Sequence, residues 1–402
     1  MKRSTRNSVL NVLFQMAYKA INFVYKYHYR RGHQREIHNY RNAGLVVEPI
    51  DLQCEKEFIA KWDVLFNPVN VNFYRMYSKF VGNDPNIVSD DIFHCVIEPI
   101  LNLQTANSLY ADKNMYELLI SPDLFPKCIL RNIESEFLDR NYAHIDMTAS
   151  KFDNSFLKNP QIIALKQFII KPTIDTSSGS GVHLFKYDGA KWRNEEGDVL
   201  SYSYLMNSYS SNFIFQECIE PSSYNKNFNT DSFNTFRVVT YRSVMDEQVH
   251  LLGITMRMGA KGSFKDNVHA GGYIVEILEG GRVGNYVLDT NLLKYDTANG
   301  VNFKNNNFVI PNYHKIVELA FYIAKKMPLQ RVLSFDLILD KNDEPRVIEI
   351  NIKNQTVDVV QTFSSSFFGS YTNEVINYCV ENKYKICYNV DFRGGGFRNS
   401  NL

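Results

Sequence analysis

Two short apolar runs rich in β-forming residues, 332–339 and 346–352, flank the polar stretch Asp340-Lys341-Asn342-Asp343-Glu344. This pattern predicts a β-hairpin, with Pro345 opening the second strand, where a missing N–H is tolerated. Successive strand side chains point to opposite faces, so Glu349 and Asn351 share one face. In a register that pairs position 336 with position 349, Asp336 joins them. Further β-rich runs predict strands ending at Lys171-Pro172, beginning at Val182, and over 213–219, 235–243 and 249–258. Ile316, Leu319, Ala320, Ile323 and Ala324 recur at helical spacing, and Pro328 follows Lys325-Lys326, which predicts a helix over 313–327. Two more helices are predicted, over 107–119, containing Asp112-Lys113, and over 371–381.

At 402 residues the chain is long enough for two or three domains. With 45% hydrophobic and 22% charged residues it reads as globular, and a net charge of +1 gives no general argument for nucleic acid or for an acidic partner. Cys54, Cys95, Cys128, Cys218, Cys379 and Cys387 include no C-x-x-C pair, so reduced cytosolic thiols are expected, not a zinc site or a disulfide scaffold. Residues 1–35 mix apolar residues with many Lys and Arg. The uncharged run between Arg6 and Lys19 is 12 residues, too short to span a bilayer, and no convincing signal-peptide cleavage site follows it. The expectation is a helix that packs Phe14, Tyr18, Ile21 and Tyr25 on the rest of the protein and leaves its basic residues in solvent. The other reading is a basic helix in peripheral contact with the inner face of the plasma membrane.

The candidate chemistry is oxygen-rich and phosphate-seeking. Two carboxylates and an amide oxygen on one face, Asp336, Glu349 and Asn351, make a hard site suited to Mg²⁺, although an ordinary hairpin with a solvated acidic face has the same composition. After Lys171, the Thr, Ser and Gly residues up to Gly181, including Ser178, Gly179 and Ser180, are small enough to turn backbone N–H groups toward an anion, with the lysine as a point charge beside them. The loop has neither the G-K-[ST] ending of a P-loop nor a helix after it, and Ser/Gly hairpin loops without a ligand are common. Gln216 and Glu217 close a strand that Pro221 then breaks. Arg237 and Arg257 lie on two later strands, and the glycines and the Asp266-Asn267 pair between 259 and 272 suggest a segment able to close over a substrate. The tail Arg393-Gly394-Gly395-Gly396-Phe397-Arg398 is a weak nucleic-acid signal, and no nucleic-acid partner is expected.

Taken in order, Lys113, Lys171 with its Ser/Gly loop, Gln216-Glu217, Arg237, Arg257, Asn267 and the Asp336, Glu349, Asn351 hairpin resemble the ATP-grasp superfamily. The stretches FNTFRVVTYR, MRMGAKGSFKDNVHAGG and SFDLILDKNDEPRVIEIN are most similar to the sugar-transfer-associated ATP-grasp family of bacterial polysaccharide gene clusters. The resemblance covers roughly residues 105–370 and leaves the first hundred residues unmatched. It implies an α+β, ATP-grasp fold with two α+β lobes enclosing ATP after a mainly helical N-terminal extension. The expected boundaries are 1–105 for that extension, 106–212 for the first lobe, 213–385 for the second and 386–402 for a flexible tail. The resemblance also implies roles. Lys113, Lys171 and the loop of Ser178, Gly179, Ser180 and Gly181 would hold the ATP phosphates, Gln216 and Glu217 would read adenine, and Glu220 would take the ribose. Asp336, Glu349 and Asn351 would hold Mg²⁺ or Mn²⁺. Arg257 and Asn267, with Arg237, would stabilise the transferring phosphoryl group.

The expected function is a cytoplasmic carboxylate–amine ligase that works through an acyl phosphate in surface-polysaccharide, capsule or cell-envelope synthesis, with carboxylate and amine substrates, sugar-linked ones among the candidates. A kinase acting on a sugar or small-molecule hydroxyl is the alternative on the same fold. A non-catalytic nucleotide-binding partner of glycan enzymes is the third reading.

Overall fold

The apolar runs assemble into two antiparallel sheets behind a helical N-terminal region. The computed structural model describes residues 2–46, 48, 51–174, 180–229, 232–260, 271–355, 357–363 and 365–386. Among them, helices α1 (Lys2–Asn42), α2 (Leu52–Trp62) and α3 (Val71–Val81) come first. The strands β1 (Cys128–Ile133), β2 (Glu136–Leu138), β3 (Gln167–Pro172), β4 (His183–Tyr187), β5 (Trp192–Arg193) and β6 (Phe213–Glu217) pair in the order β2-β1-β6-β3-β4-β5. Next come β7 (Phe236–Arg242), β8 (Val249–Met258), β9 (Tyr273–Glu276), β10 (Val287–Leu288), β11 (Lys294–Tyr295) and the separate pair β12 (Thr297–Ala298) and β13 (Val301–Asn302). With β14 (Val332–Leu339) and β15 (Pro345–Asn351), the second sheet runs β11-β10-β9-β8-β7-β14-β15. The fold is α+β, as expected. The strand Phe213–Glu217, at which the sequence reading opens the second lobe, sits inside the first sheet between β1 and β3.

Each sheet buries an apolar face. In the first, Phe168, Phe185 and Phe215 pack with Trp192, whose ring centroid lies 4.4 Å from that of Phe168. In the second, Leu333, Phe335 and Leu337 of β14 pack with Val238, Ile254 and Met256 against the helix Tyr313–Lys326. That helix buries Ile316, Leu319, Ala320, Ile323 and Ala324, the positions picked out by their spacing.

The alternate residues of β14 point the other way. Val332, together with Val239 and Tyr241 of β7, joins a core built from Phe73, Tyr77 and Phe93 of the N-terminal region. Further along the same face lies Asp336. The N-terminal region therefore covers one half of this face and leaves the other half to the candidate site. Two polar residues fix the arrangement. The Asn102 amide donates to the carbonyls of Val332 and Ile352 (2.8 Å each), and its oxygen accepts from the Arg331 and Val332 N–H groups (2.9 Å each). Glu98 accepts from the N–H groups of Asn354 (3.0 Å) and Gln355 (2.9 Å), just past the end of β15.

Two sequence expectations are corrected. The predicted helix over 107–119 is two short pieces, Asn107–Tyr110 and Tyr116–Leu119. Asp112 interrupts it by accepting the Asn114 N–H through its side chain (2.9 Å), a local turn that competes with the helix. The expected packing of α1 holds only for its C-terminal part. There the Arg30 guanidinium lies 4.4 Å from the Phe66 ring centroid, His33 meets the edge of Phe73, and Ile37 is buried. At 1.5 Å per residue the helix is about 60 Å long and outruns the body it rests on. Phe14 is 71% exposed, Tyr18 is exposed and Ile21 is half-buried, while Tyr25 lies outside the described side chains.

Asn102→Ala removes a partner from four backbone groups, of which the Val332 carbonyl alone keeps a known second one, the Gln355 amide at 2.8 Å. At about 1–3 kcal/mol for each unsatisfied group, even partial rescue by water leaves an expected loss of about 3 kcal/mol in unfolding free energy. Urea denaturation followed by tryptophan fluorescence measures it.

Candidate nucleotide and metal site

The site grows from the pairing of three strands. β14 lies between β7 and β15, and its register sets Asp336 opposite Arg237 on one side and Glu349 on the other. Ser334 faces Asn351, so Asp336, Glu349 and Asn351 share a face. The ladder then skips a residue: Leu337 faces Val347, and Ile348 bulges out. The carbonyl of Ile348 accepts a hydrogen bond from Lys171 Nζ at 3.3 Å. The irregularity thus ties the second sheet to the first.

A carboxylate as buried as Asp336, 3% exposed, needs compensating charge. Arg237 binds it in a fork, Nε to Oδ1 at 2.5 Å and Nη2 to Oδ2 at 3.0 Å, and Arg257 Nη2 reaches Oδ2 at 2.9 Å. Burial by itself would raise the Asp336 pKa. The charges of Arg237 and Arg257, with hydrogen bonds from Arg237 and Asn351, outweigh burial and hold it below the usual carboxylate value. Arg257 is aimed by Thr235, whose hydroxyl accepts from Nε (3.2 Å) and Nη2 (3.0 Å).

The two lysines arrive from the other side. Lys113 sits in the turn set by Asp112, its backbone N–H bound to the Thr173 carbonyl at 3.1 Å just beyond β3. Its ammonium pairs with Glu349 Oε1 at 2.8 Å. Lys171, on β3, is buried beside it. Burial first, and then the neighbouring charge of Lys113, push the Lys171 pKa down to about 8, against the opposing pull of Glu349. Gly181 has φ +70°, and a Cβ there would come within 2.9 Å of Pro172, so the chain past the loop needs glycine to pass this close to the end of β3.

Gln216 and Glu217 end β6, paired with Ile169 and Phe168 of β3. The Gln216 amide donates to the Pro126 carbonyl at 3.2 Å, and Glu217 Oε1 accepts from the Lys127 N–H at 2.9 Å. Glu220 is exposed and paired with Lys341 (3.3 Å) at the hairpin turn. Ser180 is exposed, while Ser178, Gly179 and Asn267 lie outside the described residues, as does the tail beyond residue 386. Arg242, at the end of β7, joins Arg331 around Glu247.

Three contributors escaped the sequence reading. Thr235 was signalled by alternation, since it stands two residues before Arg237 at the mouth of β7. Tyr116, whose hydroxyl donates to the Ile350 carbonyl at 3.1 Å, and Asn114, whose amide donates to the Asn132 carbonyl at 3.0 Å, left no signal. Their partners are distant in sequence.

The family model described as sugar-transfer-associated ATP-grasp matches residues 127–374, more than half of the chain. No curated protein matches the chain. Similar solved structures include N5-carboxyaminoimidazole ribonucleotide synthetase from Thermotoga maritima (11% identity, TM-score 0.36, covering 68% of this chain and 51% of that one). L-amino acid ligase from Bacillus licheniformis (12%, TM-score 0.38, 68% and 49%) and D-alanine–D-alanine ligase from Bacillus anthracis (12%, TM-score 0.37, 70% and 69%) are also similar. The chain spans about half the length of the first two.

The depressed Lys171 pKa has a consequence for stability. Between about 8 and the ordinary 10.5 the unfolded chain keeps a proton that folded Lys171 has released. Stability of the nucleotide-free protein therefore gains an upward slope with pH across that window. Lys171→Met should remove this contribution, read as the difference between the two proteins in urea denaturation at stepped pH.

Proposed function

The chain belongs to the sugar-transfer-associated ATP-grasp family, and on that premise we propose that it is an ATP- and Mg²⁺-dependent carboxylate–amine ligase of surface-polysaccharide or cell-envelope synthesis. The observation that carries this reading is the meeting of Lys113 and Lys171 with the face that bears Asp336, Glu349 and Asn351. The donor set is oxygen-only and fits Mg²⁺ or Mn²⁺. The two arginines engage Asp336 three times, out of about four lone-pair positions. Glu349 and Asn351 would therefore supply the larger share of the coordination. When bound, the cation neutralises phosphate charge and favours in-line transfer.

The side chains divide the remaining work. Lys113 and Lys171 bind the triphosphate through their ammonium charges. Arg237 and Arg257, held by Asp336 and Thr235, face the phosphoryl group and offset the repulsion as an anionic carboxylate attacks it. The new bond joins a carboxylate oxygen to the γ-phosphorus, and ADP leaves. An amine then attacks the acyl carbon, an amide forms, phosphate departs and the amine loses its proton. Gln216 and Glu217, at the end of β6, would read the adenine edge. The reaction belongs in the cytoplasm, where ATP is available, and the substrates we favour are sugar-linked.

Purified protein with ATP and Mg²⁺ should release ADP and free phosphate only with a suitable carboxylate and amine, and mass spectrometry should find the amide. Glu349→Gln and Asp336→Asn should lower kcat by about 100-fold or more while circular dichroism shows a folded protein. Phosphate retained on an organic product would identify a kinase. Turnover untouched by both substitutions would remove this site from the chemistry.

A further inference from the structure

The exposed half of α1 contributes no residue to the site built on Asp336, Glu349 and Asn351. Val12, Leu13, Phe14, Met16, Phe23 and Val24 are all exposed, Phe23 to 72%. Positions 8, 11, 15, 19, 22 and 26 hold Ser, Asn, Gln, Lys, Asn and Lys, three or four residues apart on a continuous helix. At helical spacing these positions fall on one stripe, and every other position from 9 to 27 is apolar or aromatic. A helix so apolar around most of its circumference is not designed for water.

Charge selects the occupant. Every Lys, Arg, Asp or Glu among the first 35 residues is a Lys or an Arg, and the first carboxylate is Glu36, although the whole chain balances 44 basic against 43 acidic residues. A second copy of this helix would bring like charge against it, whereas anionic headgroups supply the opposite sign. No described helix is long and apolar enough to cross a membrane, so the segment suits a position along the surface. We propose that α1, from its N-terminus to about Tyr27, lies in the interface of an anionic lipid bilayer. Its apolar arc enters the headgroup–acyl boundary and its basic residues sit among the phosphates. The root at Arg30, His33 and Ile37 fixes the body to that surface.

The test uses the full chain and vesicles of phosphatidylglycerol mixed with phosphatidylcholine, against phosphatidylcholine alone. Flotation should recover the protein with the anionic vesicles, and binding to neutral vesicles should be roughly tenfold weaker or less. High salt should weaken the anionic binding. Phe14→Ser with Phe23→Ser should abolish flotation while leaving ADP release unchanged, since neither residue is in the nucleotide site. This separates the membrane contact from the ligase reading. Equal binding to both vesicle types, or none to either, overturns the proposal. Self-association by light scattering that the double variant dissolves, without vesicle binding, would also overturn it and make the face an interface between copies.

Discussion

A carboxylate sealed inside a β-sheet stays ionised only where positive charge answers it, and Asp336 is answered twice. Arg237 comes from the neighbouring strand β7 and Arg257 from β8, the strand beyond it. Three strands must therefore keep one register for this pairing to exist. The same register puts Glu349 beside Asp336 and Asn351 two residues further on. The bulge that follows turns the Ile348 carbonyl toward Lys171. One electrostatic requirement thus sets the position of the donor face, of the guanidiniums that border it, and of the link to the first sheet. A slip of one residue would send Asp336 into the apolar layer that holds Phe335 and Leu337.

The parts of this arrangement that depend on local pattern were legible in the sequence. Apolar runs and a turn-rich break located β14 and β15, and alternation placed Glu349 and Asn351 on one face. Helical spacing located the helix Tyr313–Lys326 and its buried positions. The pairing of Asp336 with Glu349 needed the register, which short-range pattern only offers as one option among several.

What stayed hidden has its partner far along the chain or opposes the local pattern. Local pattern alone set Lys113 on a helix, where solvent is the default, and only the family resemblance gave it a place at the phosphates. Asp112 instead folds the chain into a turn, and Lys113 ends buried against Glu349. Glu98 and Asn102 reach partners around residues 331–355, and no spacing rule announces such a contact. The apolar residues of α1 were expected to be covered because apolar residues usually are, but the sequence carries no measure of how far the body extends beneath a 41-residue helix. Glu220, which the resemblance gives to the ribose, is exposed in this structure and pairs with Lys341.

The hydrogen bonds of Glu98 and Asn102 bear on where this protein can be divided. The matched family segment begins at residue 127, which invites treating everything before it as an appendage. Yet that earlier stretch hides Val239, Tyr241 and Val332 from water and holds the turn that follows Asn351. A fragment trimmed to the recognisable segment would bare an oily sheet face and free the turn that follows Asn351. The portion with no family likeness is, mechanically, a wall of the second sheet.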